Sequence, residues 1–192
     1  MASRAGLTRA PRSKPAPTQA LLYPLDLLYT HAGVAPPAAT RVTPARMPQP
    51  YRSLLDHQRD MTGTLEAHLR DRVLLRVLST EEKGRSYFRR ILLVQASTGR
   101  PVEMGAVRIS LSALSPRVWA AIRQHRAPLS QVLRDQGIEF LSRPAAFMAV
   151  RPNADLMGVF WMREPQTLYG RRTEAFADGR RIGDIVEILP RM

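Results

Sequence analysis

The stretch that most constrains the fold is SYFRRILLVQASTGRPVEMGAVRISL, residues 86–111, which predicts two strands joined by a short turn at 97–101. Gly and Pro mark the turn, and β-branched and aliphatic residues fill both arms. Because side chains alternate between the faces of a strand, Tyr87, Arg89 and Ile91 share one face. An arginine with apolar neighbours on its face lies either at the rim of the sheet or buried beside an anion, since an unpaired buried charge is too costly.

A carboxylate is placed in the same way near the end of the chain. In GDIVEILP, residues 183–190, the side chains of Ile185, Glu187 and Leu189 share a face, so Glu187 stands in an apolar row. Arg89 and Glu187 can therefore pair with each other, and together they can hold an anionic ligand. The spacing alone fits equally well with a purely structural ion pair or with two residues at the rim.

The remaining patterns predict an α+β fold, with a single antiparallel sheet of about six strands and helices covering one face. Helical periodicity and capping residues predict helices across 51–69, after Ser115-Pro116 and across 127–137. Further strands are predicted at 72–79, ending in a turn at 81–84, at 138–150 with a break near Pro144, at 155–163, and in a hairpin about Asp178-Gly179.

The N-terminal part differs in composition from the rest. Residues 1–20 are basic, Pro-rich and free of acids, which predicts disorder; a transit-type leader is the alternative. Residues 21–33 are apolar enough to dock as a short helix, and the prolines of 34–50 predict a linker or an extended surface arm. We therefore expect a Pro/Ala/Arg-rich extension over 1–46, largely disordered or a surface arm, and a folded domain over 47–192.

Composition removes several kinds of chemistry. The chain has no cysteine, which excludes disulfides, thiol nucleophiles and thiolate metal sites. Its four histidines stand in no metal-ligand spacing, and it has no phosphate-binding loop and no nucleophile elbow. We therefore expect no metal and no cofactor.

The charge favours an anionic partner. The net charge is +13, and the excess persists when residues 1–50, with six basic residues and one acid, are set aside. A small dianion in an arginine-lined pocket and a nucleic acid both fit, but aromatic residues are only 6% of the chain and form no stacking motif, so we expect no nucleic acid. No apolar run approaches the roughly 18 residues of a membrane span, and we expect a cytoplasmic protein, a monomer or a weak dimer.

Five segments occur in the order seen in the chorismate lyases (chorismate–pyruvate lyases), which the chain resembles over about 50–190. They are DMTGTLE at 60–66, YFRRILL at 87–93, APLSQVL at 127–133, YGRR at 169–172 and VEILP at 186–190. One departure is Ser130, which stands where the family has glycine after its Pro-Leu pair.

The resemblance implies a six-stranded antiparallel sheet with a ligand cavity between the sheet and helical flaps. It also implies cofactor-free elimination of pyruvate from chorismate to give 4-hydroxybenzoate, a carbon–oxygen lyase reaction of quinone biosynthesis. By the same resemblance Arg89 and Glu187 are the catalytic residues, and the backbone at Met61 and Leu129 completes the pocket. Whether Glu187 acts as an acid, as a base or only electrostatically stays open.

Two further alternatives follow. Effector domains of some bacterial transcription regulators share the chorismate-lyase-like fold, so a non-catalytic domain that senses a small molecule is the rival function. The pair Arg171 and Arg172 in YGRR either sends one side chain into the site or lies on a solvent-facing strand.

Overall fold

The computed structural model describes residues 21–192, which form an α+β fold on one antiparallel sheet. Its seven strands are β1 (Ala38–Val42), β2 (Val73–Lys83), β3 (Ser86–Gln95), β4 (Pro101–Ser110), β5 (Phe140–Arg151), β6 (Leu168–Ala177) and β7 (Arg180–Leu189). They lie in the order β1-β5-β6-β7-β4-β3-β2. The predicted fold class is confirmed, with one strand more than the six expected. Residues 1–20, predicted to be disordered, lie outside the described part.

Six α-helices accompany the sheet in this part of the chain, with a 3₁₀ turn at Pro44–Arg46. The helices are α1 (Leu25–His31), α2 (Tyr51–Leu55), α3 (Met61–Leu69), α4 (Pro116–Arg123), α5 (Leu129–Asp135) and α6 (Ala154–Val159). Asp60 is the residue that caps the start of α3, since its carboxylate accepts a hydrogen bond from the Gly63 amide at 2.8 Å. None of the helices within 21–192 has the length and apolar character needed to cross a membrane.

The two predicted hairpins are present. β3 and β4 pair across the turn that contains Gly99, whose φ is +68°. β6 and β7 pair across Asp178 and Gly179, which have φ values of +47° and +74°, the left-handed conformation that a tight hairpin turn requires. The register of β5 shifts between Pro144 and Ala146, where the break was predicted.

Two local predictions were wrong. The segment 155–163, predicted as a strand, contains helix α6, because the Asn153 side chain accepts a hydrogen bond from the Leu156 amide at 3.0 Å and caps a helical turn. The predicted turn at 81–84 is shorter, since β2 continues to Lys83 and the reversal falls at Gly84, with φ +59°.

The described part of the predicted extension packs on the sheet. Helix α1 follows Pro24, as expected, and Leu22 and Leu25 are fully buried. The stretch predicted as a linker or surface arm contains β1, which pairs with β5 at one edge of the sheet. Its Ala-Ala-Thr-Arg-Val sequence is free of proline, so its amides can join the ladder although prolines flank it.

Helices cover both faces of the sheet, and not one face as the sequence predicted. On one face α1 and α6 pack with strand residues such as Leu92 and Val186 into a single apolar cluster. The opposite face carries two clusters. One involves α4 and α5 and includes Ile185; the other involves α2 and α3 and includes Leu189. Glu187 lies between these two residues on β7, so a polar position interrupts the core there.

Candidate functional site

A row of side chains across the sheet defines the floor of the site. Glu187 on β7 lies opposite Arg171 on β6 and opposite Gly105 on β4, and Gly105 in turn faces Ile91 on β3. A Cβ atom at Gly105 would come within 3.1 Å of both Ile91 Cγ1 and Glu103 Oε1. The Ile91 and Glu103 side chains therefore lie over Gly105 and leave little room for a side chain at this position.

A cavity over this row of the sheet is bounded from above by the starts of two helices. Asp60–Thr62 at the start of α3 and Pro128–Ser130 at the start of α5 line the cavity together with the strands. Its volume is about 40 Å³, well below the roughly 150 Å³ of an apolar cavity that holds benzene. A ligand of the size of a benzoic acid therefore requires the two helix starts, here called the roof, to move outward.

The two parts of the roof are joined by weak polar contacts. Ser130 Oγ donates a hydrogen bond to Asp60 Oδ1 at 3.4 Å, and Arg134 lies 3.6 Å from Asp60 Oδ2. The Arg134 side chain is more than half exposed, so this ion pair contributes little to stability. The serine that departs from the chorismate-lyase pattern thus provides a contact across the roof.

The four residues proposed for the site line this one cavity. Arg89 and Glu187 enter from the sheet, and Met61 and Leu129 belong to the roof. All four side chains are buried. The alternation along the strands located the first two residues, and the chorismate-lyase resemblance located the other two.

The predicted pairing of Arg89 with Glu187 was wrong, because Arg171 is the partner of Glu187. The two side chains are opposite each other on adjacent strands, and Arg171 Nε donates to Glu187 Oε2. Arg89, by contrast, stands on β3, where β4 separates it from β7, and it pairs with Val107. Glu187 is thereby part of a buried ion pair before any ligand arrives.

The Arg171 guanidinium has hydrogen-bond acceptors at all three of its nitrogens. Besides Glu187, it donates from Nη1 to the backbone oxygens of Leu55 at 2.9 Å and His57 at 2.8 Å, and from Nη2 to that of Arg59 at 3.4 Å. Burial, and then the positive charge of Arg171, lowers the pKa of His57. Arg171 therefore fastens the segment between α2 and α3 to the sheet. Neither alternative for YGRR holds in full, because Arg171 points inward but does not line the cavity.

Arg89 is the opposite case. Its side chain is 1% exposed, and neither Nε nor Nη1 has a hydrogen-bond partner among residues 21–192. Burial lowers its pKa from the usual value, but an arginine guanidinium stays protonated in proteins. A buried cation without an anion is costly, and a ligand carboxylate would satisfy it.

One residue of the site, Glu103, was missed. It is 2% exposed, lines the cavity, and its Oε2 has no hydrogen-bond partner in the described part of the chain. Burial, reinforced by the charge of Glu187 and opposed by Arg171, raises its pKa well above the usual range. A signal was present, because Glu103 shares its strand face with Gly105 just as Arg89 shares one with Ile91.

No group of three or more His, Asp or Glu side chains within 21–192 is arranged to hold a metal ion. On the sheet side, the polar groups of the cavity within 21–192 are the guanidinium of Arg89, the arginine-paired carboxylate of Glu187 and the buried acid Glu103; the roof adds Asp60, Thr62 and Ser130. That set suits recognition of an anionic organic molecule and proton donation to it.

Comparison with known proteins gives likenesses of structure only. No protein-family model matches the chain, and no curated protein matches it in sequence. Among solved structures, the ligand-binding domain of a putative GntR-family transcriptional regulator from Bordetella bronchiseptica is similar, with a TM-score of 0.48 and 11% identity. That alignment covers 62% of this chain and 85% of the other.

Two structures of PhnF from Mycobacterium smegmatis are similar as well. One of them, a structure of PhnF, gives a TM-score of 0.49 at 13% identity, and the alignment covers 70% of this chain and 64% of that one. The PhnF effector domain gives 0.47 at 14% identity, covering 68% and 87%. At these values the function has to be argued from the site itself.

Proposed function

We propose that this protein binds a small carboxylic acid in the cavity between the sheet and the roof, with Arg89 holding the carboxylate. The observation that carries the proposal is the buried Arg89 guanidinium, whose Nε and Nη1 find no partner among residues 21–192. Two parallel hydrogen bonds from a guanidinium to a carboxylate are among the stronger polar contacts in proteins. A ligand that supplies them removes the cost of the unpaired charge.

The charge balance of the cavity favours a ligand with one negative charge. Arg171 and Glu187 neutralise each other, and burial raises the pKa of Glu103 well above its usual range, which favours its uncharged form. Arg89 then contributes the one unbalanced charge among these four buried groups. The sequence predicted a dianion, whose second carboxylate would need another cation; Arg134, at the roof, is already beside Asp60. Binding of a monocarboxylate, as in a non-catalytic sensing domain, is the function supported best.

Elimination of pyruvate from chorismate is the second candidate. It is supported by the resemblance described above and by the fact that Met61, Arg89, Leu129 and Glu187 line one cavity. In that reaction Arg89 would hold a carboxylate of chorismate, and the site would have to protonate the departing ether oxygen. Glu187 is already bonded to Arg171, whereas burial raises the pKa of Glu103 and favours its protonated form, so Glu103 is the better candidate for the proton donor.

One pair of measurements separates the two functions. The purified protein is incubated with chorismate while pyruvate and 4-hydroxybenzoate are followed, and it is titrated calorimetrically with benzoate and 4-hydroxybenzoate. Binding without turnover supports the sensing function, and turnover that is lost in Arg89→Met supports the lyase. If Arg89→Met binds these carboxylates as well as the wild type does, the proposed site is wrong.

A further inference from the structure

We propose that Glu103 is a ligand-binding residue of this cavity: as a carboxylic acid it donates a hydrogen bond to an oxygen acceptor at the end of the ligand away from Arg89. The inference rests on the proposed function, because it assumes that a carboxylate occupies the cavity at Arg89. It adds a second recognition element and thereby a chemical class of ligand.

The register of the central hairpin sets the separation of the two backbone positions along the strands. Arg89 on β3 pairs with Val107 on β4, whereas Glu103 on β4 pairs with Leu93 on β3. The two positions are thus four residues apart along neighbouring strands, about 13 Å at the rise of a strand. Gly105 lies between them and has no side chain. The Glu103 carboxyl leans over Gly105, because its Oε1 lies 3.1 Å from the place that a Cβ atom would take there. A ligand that touches both groups therefore lies along the strands, between the Arg89 guanidinium and the Glu103 carboxyl.

The surroundings of Glu103 offer no partner for a charged carboxylate. Its Oε2 accepts no hydrogen bond from any residue of the described part. Glu187 and the capping Asp60 are the acidic groups that act on it, and the nearby Arg171 is already bonded to Glu187 and to backbone oxygens. A buried O–H without an acceptor is unfavourable, so a ligand oxygen at this place gains a contact that the protein does not supply.

The ligand class that follows is a monocarboxylic acid with an ether, carbonyl or hydroxyl oxygen at its far end. A purely structural glutamate would have hydrogen bonds of its own, as Glu187 has with Arg171. Glu103 has none at Oε2, and this carboxyl lines the cavity.

The test uses two probes of nearly equal shape, 4-methoxybenzoate and 4-ethylbenzoate, which differ by an ether oxygen in place of a methylene. Each is titrated calorimetrically into the wild type, Glu103→Gln and Glu103→Met. We expect the wild type to bind the methoxy compound roughly tenfold more tightly than the ethyl compound, the value of one good hydrogen bond. Glu103→Gln keeps a donor and should keep the preference; Glu103→Met, similar in size but without a donor, should lose it. Thermal unfolding of both variants establishes that they are folded.

The outcomes distinguish this proposal from the one on which it rests. If Glu103→Met keeps the methoxy preference, or if the wild type has none, Glu103 is not the donor, while binding of both probes leaves the Arg89 site intact. If the wild type binds neither probe nor unsubstituted benzoate, the carboxylate site itself fails and this inference fails with it.

Discussion

Two arginines are fully buried within the described part of the chain, and both lie on the sheet face that carries the cavity, yet their surroundings differ in almost every respect. Arg171 has a carboxylate and three backbone oxygens as acceptors, and these come from β7 and from the segment between α2 and α3. Arg89 has two nitrogens, Nε and Nη1, without an acceptor among residues 21–192, and it faces a cavity. Arg171 joins parts of the fold, whereas Arg89 is available to bind an anionic ligand.

The difference shows why burial of a charge does not by itself identify a functional residue. Both side chains carry the cost of leaving water. For Arg171 that cost is offset inside the protein, and for Arg89 it is offset only when an anion binds. Removal of each side chain should therefore have opposite consequences for stability.

The largest effect, a loss of stability, is expected for Arg171→Met. The substitution leaves the buried carboxylate of Glu187 without its partner, which typically costs about 3–5 kcal/mol. Unfolding in urea measures the change, with Arg180→Met, an exposed arginine on β7, as the control that should stay within about 0.5 kcal/mol. A loss below 1 kcal/mol would mean that Arg171 does not hold the α2–α3 segment to the sheet.

A gain in the stability of the ligand-free protein is expected for Arg89→Met. Methionine removes two buried donors that have no partner in the described part of the protein, and an unsatisfied buried group costs about 1–3 kcal/mol. The free energy of unfolding without ligand should therefore rise, in contrast with Arg171→Met. A loss as large as that for Arg171→Met would show that Arg89 is structural after all.

Glu103→Gln should stabilise the protein in a way that depends on pH. Because burial raises the pKa of Glu103 above its usual value of 4.5, the folded state holds a proton that the unfolded state releases. The wild type therefore loses stability as the pH rises from about 4.5 toward the folded pKa, by up to about 1.4 kcal/mol per pH unit. Glutamine does not titrate, so the variant lacks this loss.

The groups that act on this titration are Glu187, Asp60 and Arg171, with Arg89 lining the same cavity. Melting temperatures of the wild type and Glu103→Gln between pH 4 and pH 8 measure the effect. If the melting temperatures of the two proteins change with pH in the same way above pH 5, the pKa of Glu103 is not raised in the folded protein.

The smallest effect is expected for Arg134→Gln. The Arg134 side chain is 57% exposed where it contacts Asp60. Removal of this ion pair should therefore change the free energy of unfolding by less than about 1 kcal/mol. The same contact joins α5 to the start of α3, which is one part of the roof, and ligand association, measured by stopped flow, should become faster when the contact is removed. An unchanged rate would indicate that ligands enter by another route.

Much of the site could be predicted from alternation alone. The period of two in β3 and β7 placed Arg89 and Glu187 on inward faces, and it applies equally to Glu103 on β4. The partner of Glu187 could not be predicted in this way. The two-residue turn at 178–179 puts Arg171 in register with residue 186, but a shift between Ala175 and Phe176 brings it opposite Glu187.

That shift depends on contacts far away in the sequence. Beside it lies Gly183, where a Cβ atom would come within 1.9 Å of the Arg108 carbonyl oxygen on β4. The bulge and this close approach are properties of three strands together, which local patterns do not encode. Helix α6 was missed for a more local reason, since its apolar residues resemble a strand and only the cap at Asn153 indicates a helix.

The most direct test of the account compares a carboxylate with its amide. 4-Hydroxybenzoate and 4-hydroxybenzamide have nearly the same shape, and only the first carries the charge that Arg89 is proposed to bind. Calorimetric titration of the wild type should show the carboxylate bound about ten- to a hundredfold more tightly, the value of a charge-assisted hydrogen bond of about 1.5–3 kcal/mol. Arg89→Met should bind both compounds with similar, weak affinity. A wild type that binds the two equally, or an Arg89→Met variant that keeps the preference for the carboxylate, would contradict the account.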